Sequence, residues 1–164
     1  MSNVDPAAAQ RFLATRTALP SKPGEALTEI SRRLRADFAH YNWVGVYVLE
    51  GKELVLGGWD GKEATEHVRI PVERGLCGQA AREGRTVTVG DVTSNPDYLA
   101  CFPYTRSEIV VPIFSGTEVI GEIDIDGDRR NAYDASDRDL LEALATRLAP
   151  TVLAFQRESS GRSR

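Results

Sequence analysis

The chain has 164 residues and a formal net charge of −4, with 41% hydrophobic and 27% charged residues. This balance is typical of a globular protein with its own core, and the length favours a single domain. The acidic balance argues against nucleic acid as a partner, because that function needs a basic surface. No apolar run approaches the ~20 residues that span a bilayer, and residues 1–10 do not resemble a secretory signal. We therefore expect a cytoplasmic protein with no membrane partner.

Two helices are predicted at the start of the chain. The first begins at Pro6 with Asp5 as its cap, since an Asp side chain can accept from unpaired N–H groups and proline fits the first helical position. The second carries apolar residues at helical spacing on one face. These residues are Leu27, Ile30, Leu34 and Phe38. We expect residues 1–40 to form N-terminal helices that pack on a domain spanning residues 41–155.

From Trp43 the apolar period changes from that of a helix to that of a strand. Strands are predicted over residues 43–49, 53–56, 67–72, 86–89, 108–114 and 118–126. Residues 57–61 and 91–104 predict irregular segments, and a short helix is expected to end at Gly84. Several strands are linked as hairpins, so the expected fold is α+β, an antiparallel sheet covered by helices.

A long apolar stripe predicts a final helix that starts near Asp134 or Ser136. Pro150 lies within it and is expected to kink the helix or to start a new segment. Residues 156–164 are polar, and we predict a disordered tail there.

The alternation of side chains along residues 108–126 separates an apolar side of the sheet from an acidic one. The apolar side is predicted to carry Ile109, Val111, Ile113, Val119, Ile123 and Ile125. The opposite side is predicted to carry Glu108, Val110, Pro112, Ile120, Glu122, Asp124 and Asp126, joined by Trp43 and Tyr47. This second side either faces solvent or lines a pocket covered by residues 91–104. In a pocket, burial and like charge would raise the pKa of a carboxyl and make it a proton donor.

The chain has two cysteines and two histidines, and their spacing predicts no metal site. Cys77 lies at the start of the short helix, where the helix N-terminus favours a thiolate. Cys101 lies within the irregular segment 91–104. Each is either a small buried apolar residue or a reactive thiol. The spacing does not decide whether the two sulfur atoms meet.

A series of short motifs follows in order along the chain. They are Asn42–Tyr47, Leu54–Gly57, Gly61–Lys62, Val68–Val72, Arg74–Gly78, Ala100–Cys101, Ser107–Pro112 and Ile123–Asp126. The set resembles the free methionine-(R)-sulfoxide reductases, a catalytic branch of the GAF domain fold, from about Asn42 to the last helix. The resemblance implies a GAF-like antiparallel sheet with helices packed on one face and a lidded pocket on the other.

The resemblance also implies an activity. The family reduces free L-methionine (R)-S-oxide to L-methionine through a cysteine sulfenic acid and a disulfide. Cys101 matches the catalytic cysteine that attacks the sulfoxide sulfur, and Cys77 matches a second redox cysteine. Thioredoxin or a small thiol would regenerate the thiols, no cofactor is expected, and the family likeness favours a homodimer.

The remaining site residues follow from the same resemblance. Glu108, Asp124 and Asp126 match acids that bind the substrate and help to protonate the departing oxygen. Trp43 and Tyr47 match the aromatic residues around the methyl and sulfoxide groups.

The chain departs from the family at one position. The family usually has a third cysteine just before the Val68–Val72 motif, and this chain has His67 at that position. Either Cys77 resolves the oxidised thiol, or a small thiol does so from solution, or the activity is impaired. Trp59 stands where family members often carry phenylalanine, a change that an aromatic wall should tolerate. The alternative function is a non-catalytic GAF domain that senses a small ligand or the redox state.

Overall fold

The computed structural model describes residues 2–100 and 102–162, and for Arg162 its backbone only. The elements in chain order are α1 (Pro6–Thr15), α2 (Pro23–Asp37), β1 (Trp43–Glu50), β2 (Glu53–Gly61), β3 (Arg69–Pro71), α3 (Gly75–Glu83), β4 (Val87–Val89), a 3₁₀ turn (Val92–Ser94), β5 (Ser107–Ser115), β6 (Glu118–Gly127) and α4 (Ala135–Arg162). None of the helices in these ranges combines the length and apolarity that a membrane crossing requires.

The six strands form one antiparallel sheet in the order β3-β2-β1-β6-β5-β4. The α+β prediction is therefore confirmed. The predicted hairpin between β5 and β6 turns at Gly116, whose φ of +61° is a conformation that glycine adopts without strain. At the centre of the sheet, β1 pairs with β6, a strand about 75 residues further along the chain.

One face of the sheet packs against α1, α2 and α4. Its buried cluster joins Val44, Val46 and Val48 of β1 with Leu27 of α2 and Leu141 of α4. Alternation of side chains along β1 sends these valines to the same side, as the sequence predicts. Burial of each large apolar side chain contributes roughly 1.5–3 kcal/mol relative to exposure, so this cluster is the main apolar core.

The opposite face is covered by α3 and by a segment made of residues 91–100 and 102–106. The buried residues there include Leu76 and Ala80 of α3 together with Val92 and Phe102 of the segment. Three helices therefore lie on one face, and α3 lies with the covering segment on the other. This second face holds the acidic side chains.

Residues 57–61 are the end of β2, so the predicted irregular segment is wrong there. The two glycines at its start serve packing. A Cβ atom on Gly58 would lie 2.4 Å from the backbone nitrogen of Thr28, so glycine is what lets α2 cross closely over the strand. The strand also contains an irregularity in register opposite Val46 and Tyr47.

Ile120 and Val119 lie differently from the prediction. The register between β5 and β6 shifts between Ile113 and Phe114, so that Phe114 pairs with Val119 and Ile113 pairs with Gly121. Ile120 is left outside the pairing and joins the apolar cluster, whereas Val119 is half-buried. A bulge reverses the alternation locally, and period-two counting does not detect it.

The predicted disordered tail is wrong for residues 156–162, because α4 continues to Arg162. The side chain of Gln156 donates a hydrogen bond of 2.6 Å to the carbonyl of Leu49, which attaches this part of the helix to β1. The helix also continues through Pro150, so no new segment starts there. Ser163 and Arg164 lie outside the described residues.

Candidate active site

The strand register brings the predicted acids and aromatic residues together. Glu108 of β5 pairs with Asp126 of β6, and Asp126 also pairs with Trp43 of β1. Asp124 lies two residues before Asp126 in β6, and Glu122 lies two residues before Asp124, so all three are on the same face. Glu122 pairs with Tyr47 of β1. Three adjacent strands thus direct carboxyl groups and two aromatic rings to one side of the sheet.

These carboxyl groups are buried. Glu108 is 3% exposed, and Glu122, Asp124 and Asp126 are fully covered. The solvent-facing interpretation of this side of the sheet is therefore wrong, and the pocket interpretation agrees with the structure. Removing a carboxylate from water is costly, so burial of several carboxyls favours their protonated forms.

Glu108 and Asp124 are neighbouring buried carboxyl groups. Burial raises the pKa of Glu108 well above its usual range, and the charges of Asp124 and Asp126 add to this rise. Burial also raises the pKa of Asp124, and the neighbouring Glu108 and Cys77 side chains oppose this rise. Burial thus favours the protonated form of both carboxyls, and for Glu108 the neighbouring negative charges add to this preference.

The two flanking carboxyls are affected by burial in the same way. Burial and the charge of Asp124 raise the pKa of Asp126, although the hydroxyl of Thr105 donates to its Oδ2 at 3.1 Å. Burial raises the pKa of Glu122 well above its usual range, and a hydrogen bond from Cys77 opposes the rise. The covered face thus shifts all four carboxyls towards their protonated forms.

Cys77 lies in the first turn of α3, as the sequence predicts, and is 5% exposed. Its Sγ and one carboxyl oxygen each of Glu108 and Asp124 all lie within 4.8 Å of one another. The helix N-terminus favours negative charge on the sulfur, whereas neighbouring carboxylates oppose it. The helix therefore delivers a thiol to the acidic cluster formed by Glu108, Glu122, Asp124 and Asp126.

The same three side chains form a candidate ligand set for a metal ion, with one thiol and two carboxyl groups. The raised pKa values of Glu108 and Asp124 oppose this use, because a carboxyl must lose its proton to become a ligand. The expectation that the protein holds no metal stays a prediction.

Trp43 forms the aromatic floor of the site. Cβ atoms on Gly45 and Gly61 would lie 2.4 and 2.2 Å from its indole ring, so two glycines make room for the ring on the sheet. Trp59 stacks on it with ring centroids 6.3 Å apart, and Phe102 packs against it at 5.6 Å. Its Nε1 is buried and has no hydrogen-bond partner within residues 2–100 and 102–162.

Tyr47 forms a second aromatic wall and is fully buried. Its hydroxyl donates a hydrogen bond of 2.7 Å to the backbone carbonyl of His67. The ring is thereby held in place by the connection between β2 and β3.

The segment before Cys101 covers the pocket. Leu99 packs over the start of α3, where a Cβ on Gly75 would lie 3.1 Å from the Cβ of Leu99 and where φ is +69°. The remaining cavity measures only about 10 Å³, enclosed by Ile70, Gly75, Leu76, Cys77, Leu99 and Glu108. Such a space is close to the minimum for one water molecule. Cys101, the predicted nucleophile, lies outside the described residues.

The alternation along β6 placed Glu122 on the acidic side, but Glu122 was not among the predicted site residues, and the structure shows it as a fourth buried acid. Two further residues of this site were not singled out from the sequence. Thr105 contacts Asp126 and Phe102 contacts Trp43, but both residues lie in an irregular segment whose path has no periodic signal. Their roles depend on tertiary packing.

The fold and the covered site define a class of protein, and the comparison with family models agrees. The family described as GAF domain matches residues 24–152, from α2 to the second half of α4. The antiparallel sheet with helices on one face and a covered pocket on the other corresponds to this fold.

Known relatives narrow the class. The free methionine-R-sulfoxide reductase of Escherichia coli is 36% identical over 137 residues, which cover 84% of this chain and 75% of that protein. The solved type II free methionine-R-sulfoxide reductase from Thermoplasma acidophilum is 42% identical, with a TM-score of 0.78, over 81% of this chain and 93% of that one. The Neisseria meningitidis enzyme of the same name, solved in complex with its substrate, is 34% identical, with a TM-score of 0.81, over 97% of each chain. The chain therefore belongs to the free methionine-R-sulfoxide reductase family of GAF domain proteins.

Proposed function

We propose that this protein reduces free L-methionine (R)-S-oxide to L-methionine, with Cys101 as the nucleophile. The observation that carries the proposal is the buried acidic cluster, which lies beside the Cys77 thiol and the rings of Trp43 and Tyr47. The Escherichia coli, Thermoplasma acidophilum and Neisseria meningitidis relatives that bear this enzyme name support the substrate assignment.

The site offers a complementary group for each part of the substrate. The aromatic rings of Trp43 and Tyr47 suit the methyl group and its sulfur. Asp124 and Asp126 suit the ammonium group, whose positive charge would favour their ionised forms. A methionine sulfoxide residue inside a protein lacks that ammonium group, so the acidic cluster explains a preference for the free amino acid.

Glu108 is proposed as the proton donor. A sulfoxide oxygen is a poor leaving group until it is protonated, so the reaction needs an acid that still holds its proton at neutral pH. The raised pKa of Glu108, caused by burial and by the neighbouring charges of Asp124 and Asp126, supports this role.

The chemical steps balance without a cofactor. The sulfur of Cys101 forms a bond to the sulfoxide sulfur while the protonated oxygen leaves as water, which breaks the S–O bond of the substrate. A water molecule then attacks the Cys101 sulfur, the S–S bond of this adduct breaks with its electron pair on the substrate sulfur, and methionine leaves. The substrate sulfur has gained two electrons, and Cys101 is oxidised to a sulfenic acid that carries the oxygen of the attacking water. Cys77 then condenses with that sulfenic acid, so that an S–S bond forms and water leaves. Thioredoxin or a small dithiol finally reduces the disulfide by thiol–disulfide exchange.

Admission of the substrate requires the cover to move. A cavity of about 10 Å³ cannot hold an amino acid, and Leu99 of the covering segment lines it together with Cys77 and Glu108. We therefore expect residues 95–100 to open for binding and to close for reaction.

Turnover of the separate epimers tests the proposal. The parent protein should consume the R epimer of free methionine sulfoxide and leave the S epimer, with thioredoxin or dithiothreitol as reductant. Cys101→Ser should lose this activity, because an alcohol does not form a sulfenic acid. If the parent consumes neither epimer with any reductant but binds a small ligand, the non-catalytic GAF sensor replaces the enzyme.

The resolving role of Cys77 is tested in the same assay. Cys77→Ser should retain a single turnover but should cycle poorly with thioredoxin, because no internal thiol can then form the disulfide. Steady-state cycling at the parental rate would show that another thiol resolves Cys101. We also propose that the protein works in the cytoplasm as a homodimer, which cell fractionation and light scattering can test.

A further inference from the structure

The imidazole of His67 links two parts of the chain that enclose the site. Its Nε2 lies 2.9 Å from the backbone carbonyl of Ala100, 33 positions further along the chain. A carbonyl only accepts hydrogen bonds, so Nε2 carries the hydrogen and His67 is the donor. Ala100 directly precedes Cys101 in the sequence.

The backbone of His67 is itself anchored to the pocket. Its carbonyl accepts the 2.7 Å hydrogen bond from the hydroxyl of Tyr47, and its N–H donates to the hydroxyl of Thr65 at 3.0 Å. Tyr47 is fully buried in the central strand β1. His67 therefore connects a rigid pocket wall, through its backbone, to the covering segment, through its side chain.

Residues 95–98 also form hydrogen bonds with one another, and these join residues only two or three positions apart. The N–H of Asp97 donates to the Asn95 side chain at 2.8 Å, and the N–H of Tyr98 donates to the Asn95 carbonyl at 3.3 Å. Such bonds shape the turn without attaching it to the sheet. The bond from His67 attaches the end of the segment to the connection between β2 and β3.

We propose that His67 is a positioning residue, which holds residues 95–100 closed over the acidic cluster through the hydrogen bond to Ala100. This inference rests on the proposed function for its catalytic consequence. The imidazole of His67 itself acts as a hydrogen-bond donor to the loop rather than as a reacting group. Its loss should increase the population of the open loop and slow the chemical step.

The reactivity of Cys77 measures whether residues 95–100 are closed, and this measurement needs no turnover. Cys77 lines the same cavity as Leu99 and is only 5% exposed. In a Cys101→Ser background, iodoacetamide can reach Cys77 only when the loop opens. His67→Ala should raise the alkylation rate by about 3- to 10-fold, the effect of one lost hydrogen bond. His67→Gln can still donate from its amide and should stay within about 2-fold of the parent.

The catalytic consequence is measured with Cys101 present. In a single turnover at saturating (R)-sulfoxide, His67→Ala should be about 3- to 10-fold slower, and His67→Gln should restore most of the rate. Glu63→Gln is the matched control, because Glu63 is exposed in the same connection between β2 and β3. It should match the parent in both measurements.

The two measurements separate the two hypotheses. Equal alkylation and equal single-turnover rates in His67→Ala and the parent would overturn the positioning role. An alkylation rate that rises equally in His67→Ala and His67→Gln would also overturn it, because the donor would then be irrelevant. If the parent has no turnover, the proposed enzyme function fails, and alkylation of Cys77 still decides whether His67 holds the loop.

Discussion

The two faces of the sheet contain opposite kinds of buried side chain. Against α1, α2 and α4 the sheet buries Val, Ile and Leu residues, whereas beneath α3 it buries four carboxyl groups among aromatic rings. Apolar burial stabilises the fold, but burial of carboxyls opposes it unless they take up protons. The comparison indicates that burial on the apolar face stabilises the fold, whereas burial of the carboxyl groups on the acidic face lowers the free energy of unfolding.

The largest expected effect is on the apolar face. Leu141 is fully buried in the cluster beneath α4, and Leu141→Ala should lower the free energy of unfolding by about 2–5 kcal/mol through lost burial and a cavity. Urea denaturation measures this change. Thr146→Ala, an exposed position on the same helix, should stay within about 0.5 kcal/mol. A loss no larger than that of the control would contradict the assignment of stability to this face.

On the acidic face, substitution should affect activity rather than stability. Glu108→Gln keeps the shape but removes the transferable proton, so turnover of (R)-sulfoxide should fall at least about 100-fold. Its free energy of unfolding at neutral pH should equal or exceed that of the parent, because folding no longer requires this position to take up a proton that the unfolded chain has lost. Glu118→Gln, at the exposed start of β6, is the control and should keep parental activity. Parental turnover in Glu108→Gln would remove this residue from the mechanism.

The acidic cluster should make the folded protein less stable as pH rises. Because the pKa of Glu108 is raised from 4.5, the folded protein keeps a proton that the unfolded chain loses. The free energy of unfolding should therefore be highest near that ordinary value and fall as pH rises towards the folded pKa, by at most about 1.4 kcal/mol per pH unit for each such group.

Asp137 should behave in the opposite way at lower pH. Hydrogen bonds from His40, Asn3 and Tyr41 more than offset its burial and lower its pKa below 3.8, so its contribution is lost as pH falls below that range. Urea denaturation from about pH 3 to about pH 8 measures both limbs. Glu108→Gln should make the upper limb less steep and leave the lower one, because Glu122, Asp124 and Asp126 also have raised pKa values. An unchanged upper limb would show that Glu108 does not contribute to it.

The smallest expected effect concerns the aromatic floor of the acidic face. Trp59 stacks on Trp43 with an interplanar angle of 14°, and a phenylalanine can keep part of this contact. Trp59→Phe should cost less than about 1.5 kcal/mol of stability and change turnover less than about 3-fold. Trp59→Ala, which removes the ring, should have a larger effect on both. Equal effects of the two substitutions would show that stacking on Trp43 is unimportant.

Features with a local physical cause were predictable. Asp5 caps α1 by accepting from the N–H of Ala8 at 3.1 Å, and the alternation along β5 and β6 separates Glu108 from Ile109 and Asp124 from Ile125. In each case the pattern follows from neighbouring residues, through capping chemistry or the two-residue period of a strand.

Features that depend on distant segments were not. The polar residues 156–162 look like a tail, but Gln156 reaches the carbonyl of Leu49, more than 100 positions earlier in the chain. Ile120 changes sides through a bulge, which is selected by packing on both faces rather than by propensity along the strand.

The amino-acid sequence by itself determined the order of the elements, the division of the sheet into an apolar and an acidic side, and the motifs of the family. Only the tertiary structure decided that the acidic side is buried, that Cys77 meets Glu108 and Asp124, and that His67 contacts the loop at Ala100. The physical reason is that periodicity and capping act between residues that are neighbours in the sequence. The burial of the carboxyl groups and their raised pKa values depend instead on how α3 and the covering segment pack onto a sheet built from distant parts of the chain.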